Sequence, residues 1–126
     1  MELELEGEVV EVNPGRLRGQ RIAKLRSSDG GEVIFDVIED LLSLDKGDRV
    51  RIVIADERPF EGALESYDFC GHGYLVESEE IAGKTILSLW GILFLFNRKL
   101  GLKLNKKYYL CIQKSAQDLR RGPPHR

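Results

Sequence analysis

The twelve residues from Thr85 to Phe96, Thr-Ile-Leu-Ser-Leu-Trp-Gly-Ile-Leu-Phe-Leu-Phe, carry no charge. Read as one strand, they place Ile86, Ser88, Trp90, Ile92, Phe94 and Phe96 on one face. The other face then holds Leu87, Leu89, Gly91, Leu93 and Leu95. An antiparallel strand with one wet face alternates apolar with polar residues, and this run does not. A small domain has one core, so a strand apolar on both sides needs a second covering surface. That cover is either this chain's own loop or tail, or another protein. A membrane helix is excluded, because a bilayer needs about 20 apolar residues and Arg98 and Lys99 end the run too early. Gly91 and the crowded aromatic residues favour a strand, either one bent strand or a hairpin pivoting near Gly91.

Around this run, 126 residues make one domain, large enough to bury a core without disulfide or metal. The opening Met-Glu-Leu-Glu-Leu-Glu is acidic where a secretory signal is basic, which points to a cytoplasmic protein. Cys70 and Cys111 are then expected to stay reduced, as small buried hydrophobes. Charged residues make up 32% of the chain beside one Thr, one Met, three Asn and three Gln, a thermophile's balance. Net charge is −2, yet residues 1–80 hold 20 acids against 9 bases while 81–126 hold 1 against 10. Such asymmetry marks either surfaces that meet different neighbours or two halves that neutralise each other within one fold.

Short alternating segments fill the rest. Leu3 and Leu5 open a strand that meets Gly7, beyond which Val9, Val10 and Val12 break phase, the mark of a bulge or coil in one long strand. Asn13-Pro14-Gly15 is a turn, and a strand follows over Gln20–Arg26. Val33, Phe35 and Val37 alternate inward along Glu32–Val37. Ile38–Leu44 reads as a short helical turn or an irregular strand, and Arg49–Ile54 alternates behind the Asp45–Asp48 turn. Tyr67–Glu77 is a strand interrupted at Gly71 and Gly73, and Lys107–Lys114 closes the domain with Tyr108, Leu110 and Ile112 on one face. Residues 115–126 read as a flexible basic tail after a single 1–114 domain. Short strands with a turn about every ten residues predict an all-β fold, leaning to an OB-fold-type Greek-key barrel.

No catalytic constellation emerges. Cys70-Gly71-His72 falls short of a zinc site, which takes four ligands, and of a thiol enzyme, which needs a positioned base and its orienter. Glu2, Glu4, Glu6 and Glu8 share one strand face, a solvated stripe. No phosphate loop, nucleotide fingerprint or Asp-x-Asp motif is present, so no cofactor, metal or small-molecule substrate is expected. Two basic segments remain: Arg16, Arg18, Arg21, Lys24 and Arg26 in the first, Arg98, Lys99, Lys103, Lys106 and Lys107 in the second. OB barrels bind single strands by a basic groove with stacking rings, and Tyr67, Phe69, Tyr74, Tyr108 and Tyr109 are candidates for the rings. Weak contact to nucleic acid through Arg16, Arg18, Arg21 and Lys24 is therefore weighed against solvated charge.

Four segments carry a resemblance. Leu44–Ala55, with its Gly47-Asp48 turn and Val-Ile-Ala end, is similar to the segment after the third strand of the eighth, small subunit of eukaryotic RNA polymerases. Tyr67-Asp-Phe69 with Gly73-Tyr-Leu-Val76 resembles that family's aromatic strand. Ser88-Leu-Trp-Gly91-Ile-Leu93-Phe looks like its Ser-Tyr-Gly-Gly-Leu-Leu-Met signature, and Tyr109–Lys114 resembles its closing strand. The likeness covers roughly residues 1–114. The archaeal counterpart of that small subunit fits best, because the family's long acidic insertion shrinks here to Asp56–Ser66. Trp90 departs by standing where the family has the first Gly of a pair. The resemblance implies a non-catalytic subunit of DNA-directed RNA polymerase, an OB barrel extended by extra strands, that docks outside the largest subunit near its secondary channel. It places Leu89, Trp90, Gly91, Ile92, Leu93 and Phe94 in or beside the interface, with Leu89 and Ile92 expected on opposite faces. Phe60, Leu64 and Leu119 are the chain's own candidates to cover that face. A free-standing OB-fold binder of single-stranded nucleic acid is the alternative.

Overall fold

A computed structural model describes residues 1–59 and 66–115. Residues 60–65, with Phe60 and Leu64, and the tail beyond residue 115, with Leu119, lie outside the described residues. Among the described residues, eight antiparallel strands form the fold: β1 (Glu2–Pro14), β2 (Gln20–Ser27), β3 (Glu32–Ile38), β4 (Arg49–Ala55), β5 (Phe69–Leu75), β6 (Thr85–Leu89), β7 (Ile92–Phe96) and β8 (Tyr108–Lys114). They close into a barrel in the order β1-β2-β3-β7-β6-β5-β8-β4, with β4 returning to β1. The all-β barrel is as expected, and the non-sequential neighbours β3–β7 and β4–β8 are the crossings that a simple meander lacks.

Barrel closure rests on β1, which is long enough to serve two neighbours. Its first half pairs with β4 from Glu2↔Ala55 to Glu8↔Arg49, and its second half pairs with β2 from Gly7↔Ser27 to Pro14↔Arg21. The strand must bend where it changes partner, and two devices do this. A register shift between Val9 and Glu11 is the bulge; Val9, four residues after Leu5, is in phase with it and fully buried, so Val9 does not break phase and the slip follows it. At Gly7 a side chain would put its Cβ 2.2 Å from the Arg26 carbonyl oxygen, so only glycine lets β1 and β2 approach here.

The inward positions fill one core. Leu5, Val9, Leu25, Phe35, Ile52, Ile54, Leu87, Leu89, Phe94, Phe96, Leu110 and Ile112 are all buried. Phe35 and Phe94 stack with ring centroids 5.0 Å apart. The hydroxyl of Tyr108 accepts the Lys103 amide at 2.7 Å, which satisfies the polar end of a buried ring. Ile38–Leu42 forms one hydrogen-bonded turn, with the Leu41 and Leu42 amides donating to the Ile38 carbonyl, and Leu42 and Leu44 are buried in the core.

One element is absent from the strand pattern. Glu79–Ala82 forms a short helix, α1, capped by Ser78, whose hydroxyl accepts the Ile81 amide, and by left-handed Gly83. The signal was Ser followed by two acids and closed by Gly, too short for any periodicity to show. The buried Glu79 carboxylate accepts the amides of Leu100, Gly101 and Leu102 at 3.0–3.2 Å and the Thr85 hydroxyl, tying α1 and β6 to the loop before β8. Burial raises its pKa, but the Thr85 bond and the three amide bonds outweigh this and hold it below its ordinary 4.5.

Both the buried carboxylate and the left-handed turn glycine can be tested by substitution. Glu79→Gln turns an amide toward donors and leaves some unsatisfied, which lowers unfolding free energy in guanidinium by about 1–3 kcal/mol. Because the folded pKa is depressed, the wild-type advantage is complete above the unfolded value, near 4.5, and fades as pH falls through the folded one. A pH series of denaturation midpoints for both proteins therefore converges on acidification. Gly91 has φ 97°, so Gly91→Val forces a β-branched residue into a left-handed turn and costs about 1–3 kcal/mol, while Gly91→Asn costs clearly less.

Candidate partner-binding surface on the β6–β7 hairpin

The uncharged run is a hairpin, not one strand. Leu89 and Ile92 face each other across a two-residue turn, Trp90-Gly91, with φ of 56° and 97°. Two positive φ values in succession make a type I′ turn, the form whose twist matches antiparallel strands and which favours Asn-Gly. The Ser88 hydroxyl accepts the Gly91 amide at 3.1 Å and supports the turn. A bulky residue held in the left-handed region is rare, and Trp90 is also 85% exposed.

A two-residue turn inverts parity, and this redistributes the side chains. Thr85, Leu87 and Leu89 point inward from β6, and Phe94 and Phe96 point inward from β7. Ile86, Ser88, Leu93 and Leu95 are therefore the outward set. Two residues expected at the interface, Leu89 and Phe94, are instead in the core, 2% and 1% exposed. Ile92 is half-buried against the same core, so Leu89 and Ile92 share a face rather than lying on opposite ones. Trp90, Gly91 and Leu93 remain on the surface.

The outward positions continue onto both neighbouring strands. Ile34 of β3 lies opposite Leu95, and Leu95 lies opposite Ile86. The Val76 amide donates to the Ile86 carbonyl, which extends the row past the end of β5. In the adjacent row Tyr74 lies opposite Ser88, and Ser88 opposite Leu93. Ile34, Leu93, Tyr74 and Val76 are all exposed, so an apolar band crosses β3, β7, β6 and β5 on the outside of the barrel. Asp36 borders it, and its carboxylate accepts the Leu93 amide at 2.9 Å.

The basic candidates are placed differently. Arg16 and Arg18 are exposed in the β1–β2 loop, whereas Arg21 lies 3.8 Å from Glu39 and Lys24 3.9 Å from Glu32. The proposed stacking rings are elsewhere: Tyr108 is in the core, Tyr67 lies under Arg51, Tyr74 is on the apolar band, and Tyr109 packs against His72. The second basic segment is largely neutralised by acids from the first part of the chain. Arg98 pairs with Asp29 at 2.7 Å, Lys99 with Glu80 at 3.6 Å and Lys106 with Asp56 at 3.0 Å. Bonds from Ser27, from Arg98 and from the Gly31 amide hold the Asp29 carboxyl down at about 2. The charge asymmetry along the sequence is thus met in part by pairing between the two halves.

Cys70 and Cys111 overturn the expectation of free thiols. The β5–β8 register sets them directly opposite with Cα atoms 4.1 Å apart, and they form a disulfide. Their 41-residue separation gave no hint of that pairing. Among the described residues no group of three or more His, Cys, Asp or Glu is arranged to hold a metal, and no helix is long and apolar enough to cross a membrane.

Comparison with known proteins gives the chain a family. The family model for the G subunit of DNA-directed RNA polymerase, RpbG, matches residues 2–115. The chain is similar to DNA-directed RNA polymerase subunit Rpo8 of Saccharolobus solfataricus, 27% identical over 90% of this chain and 94% of that one. It is likewise 28% identical to Rpo8 of Sulfolobus acidocaldarius, over 83% and 92% of the two chains. A solved structure of the cytoplasmic molybdate-binding protein ModG overlaps 88% of this chain and 89% of its own at 16% identity, but its TM-score of 0.35 is too low to inform function. With the RpbG model spanning the whole barrel and the relatives matched along nearly their full length, the chain belongs to the RpbG family of DNA-directed RNA polymerase subunits.

Proposed function

We infer that this chain is a non-catalytic subunit of an archaeal DNA-directed RNA polymerase that seats the outer face of its β6–β7 hairpin on the largest subunit and supports the assembled complex. The observation that carries this reading is the apolar band of Ile34, Leu93, Leu95, Ile86, Tyr74 and Val76, with Trp90 standing at its end. Protein interfaces have apolar, aromatic centres with few charges, and an exposed Trp is a frequent anchor. Family membership supplies the partner class, and the family's docking habit supplies the largest subunit. Because every barrel strand is already paired on both sides, the partner engages side chains rather than adding a strand to an open edge. The nucleic-acid alternative is the second reading: Arg16 and Arg18 are exposed, but Arg21 and Lys24 lie 3.8 and 3.9 Å from carboxylates, and Tyr67 and Tyr108 are held elsewhere on the barrel.

Reconstitution of the polymerase with variant subunits tests this. Leu93→Asp introduces a charge on the outer face; its fold stability stays within about 0.5 kcal/mol of wild type by circular dichroism. Its incorporation into the complex falls at least about tenfold, equivalent to about 1.4 kcal/mol of binding. Trp90→Ala weakens incorporation in the same direction. Leu89→Asp, close by in the same hairpin but facing inward, unfolds the barrel. A folded Leu93→Asp subunit that assembles as well as wild type would place the interface elsewhere.

A further inference from the structure

A second feature adjoins the apolar band, on the outside of β5 and β8. There an open cleft of about 410 Å³ is lined by Arg58, Cys70, His72, Lys107, Tyr109 and Cys111. The disulfide forms part of its wall. Cys70 is exposed, while Cys111 is 2% exposed, so one end of the bridge is open to solvent and the other is covered. His72 and Tyr109 form a registered pair further along the same two strands, their rings 5.8 Å apart, and His72 in turn meets Trp90.

The bridge adds no topology of its own. β5 and β8 are joined by five successive registered pairs, from Phe69↔Ile112 to Gly73↔Tyr108. Tyr108, Leu110 and Ile112 are buried in the barrel core. Breaking the S–S bond therefore leaves the strands paired and the two sulfurs facing each other, ready to close again. Exposed disulfides exchange more readily than buried ones, and nearby cations favour the thiolate form of the sulfur released. Arg58 and Lys107 supply such charge, and neither has an ion-pair partner among the described residues.

We propose that Cys70–Cys111 is a reversible thiol–disulfide exchange site in this subunit, opened through Cys70 by a small thiol entering the cleft. The thiolate of the small molecule attacks the Cys70 sulfur, the S–S bond breaks, and Cys111 leaves as a thiolate that takes a proton from solvent. A second thiolate attacks the external sulfur of the mixed disulfide. Cys70 then leaves as a thiolate and is protonated, and the small molecule departs as its own disulfide. Two external thiols are oxidised by two electrons in all, and the protein gains two thiols.

The full-length chain, without denaturant, is incubated with millimolar reduced glutathione, alkylated and weighed by mass spectrometry. Two alkylated cysteines are expected while far-ultraviolet circular dichroism and the cooperative guanidinium unfolding transition of a folded barrel are kept, and oxidised glutathione restores the bridge. The direction of attack is read from single variants and a chromogenic aromatic disulfide. Cys111→Ser, which leaves Cys70 alone, reacts at least about tenfold faster than Cys70→Ser, because thiol reactivity follows access. Thiols that appear only when denaturant unfolds the chain, or reduction that abolishes the folded signal, would make the bridge a purely structural staple and overturn the proposal. Equal rates for the two variants would overturn entry through Cys70.

Discussion

Everything in this molecule depends on β1 having two partners. An antiparallel sheet of eight strands with a free edge at each end would expose two rows of unpaired amides and carbonyls. Here the first strand pairs with β4 along one half and β2 along the other, which removes both edges. The change of partner needs a sharp bend, and the bend needs backbones packed closer than any side chain allows. Gly7 permits that approach and the bulge after Val9 supplies the turn. Once the barrel is closed, each strand has a fixed inside and outside, and every later assignment of a residue to core or surface follows from it.

The β6–β7 hairpin shows how much hangs on a two-residue connection. Because side chains alternate with a period of two, inserting a tight turn makes β7 present the opposite parity to β6. The inner positions Leu87, Leu89, Phe94 and Phe96 complete the core, and the outer positions Ile86, Leu93 and Leu95 meet Ile34 and Val76 from the flanking strands. A core and an apolar exterior thus come from one uncharged run. Trp90 sits in a left-handed conformation that an Asn or Gly would adopt with less strain, and its ring is almost wholly exposed. Local strain combined with exposure fits the contact role proposed for Trp90.

Electrostatics plays the supporting part. The C-terminal bases Arg98, Lys99, Lys106 and Lys114 reach acids in the first two-thirds of the chain and tie the two halves of the barrel together. Exposed pairs of this kind are individually weak. Glu79 is different: buried and fully hydrogen-bonded, it anchors the long connection between β7 and β8 that no strand pairing holds.

The sequence by itself determined the strand-rich class, the positions of nearly all the strands, and the inward sets Val33, Phe35, Val37 and Tyr108, Leu110, Ile112, because period-two patterning is a local property of the backbone. It also carried the family motifs, and it marked the Thr85–Phe96 run as needing cover on two sides. It could not assign Leu89 and Phe94 to the core, because that depends on whether Trp90-Gly91 turns the chain, and a Trp in a left-handed turn is not something propensity predicts. Nor could it pair Cys70 with Cys111, match Arg98 to Asp29, or place Glu79 among three amides, since each joins residues far apart in the chain. Those contacts are set by register between strands. Register is decided only when the closed barrel brings distant segments side by side.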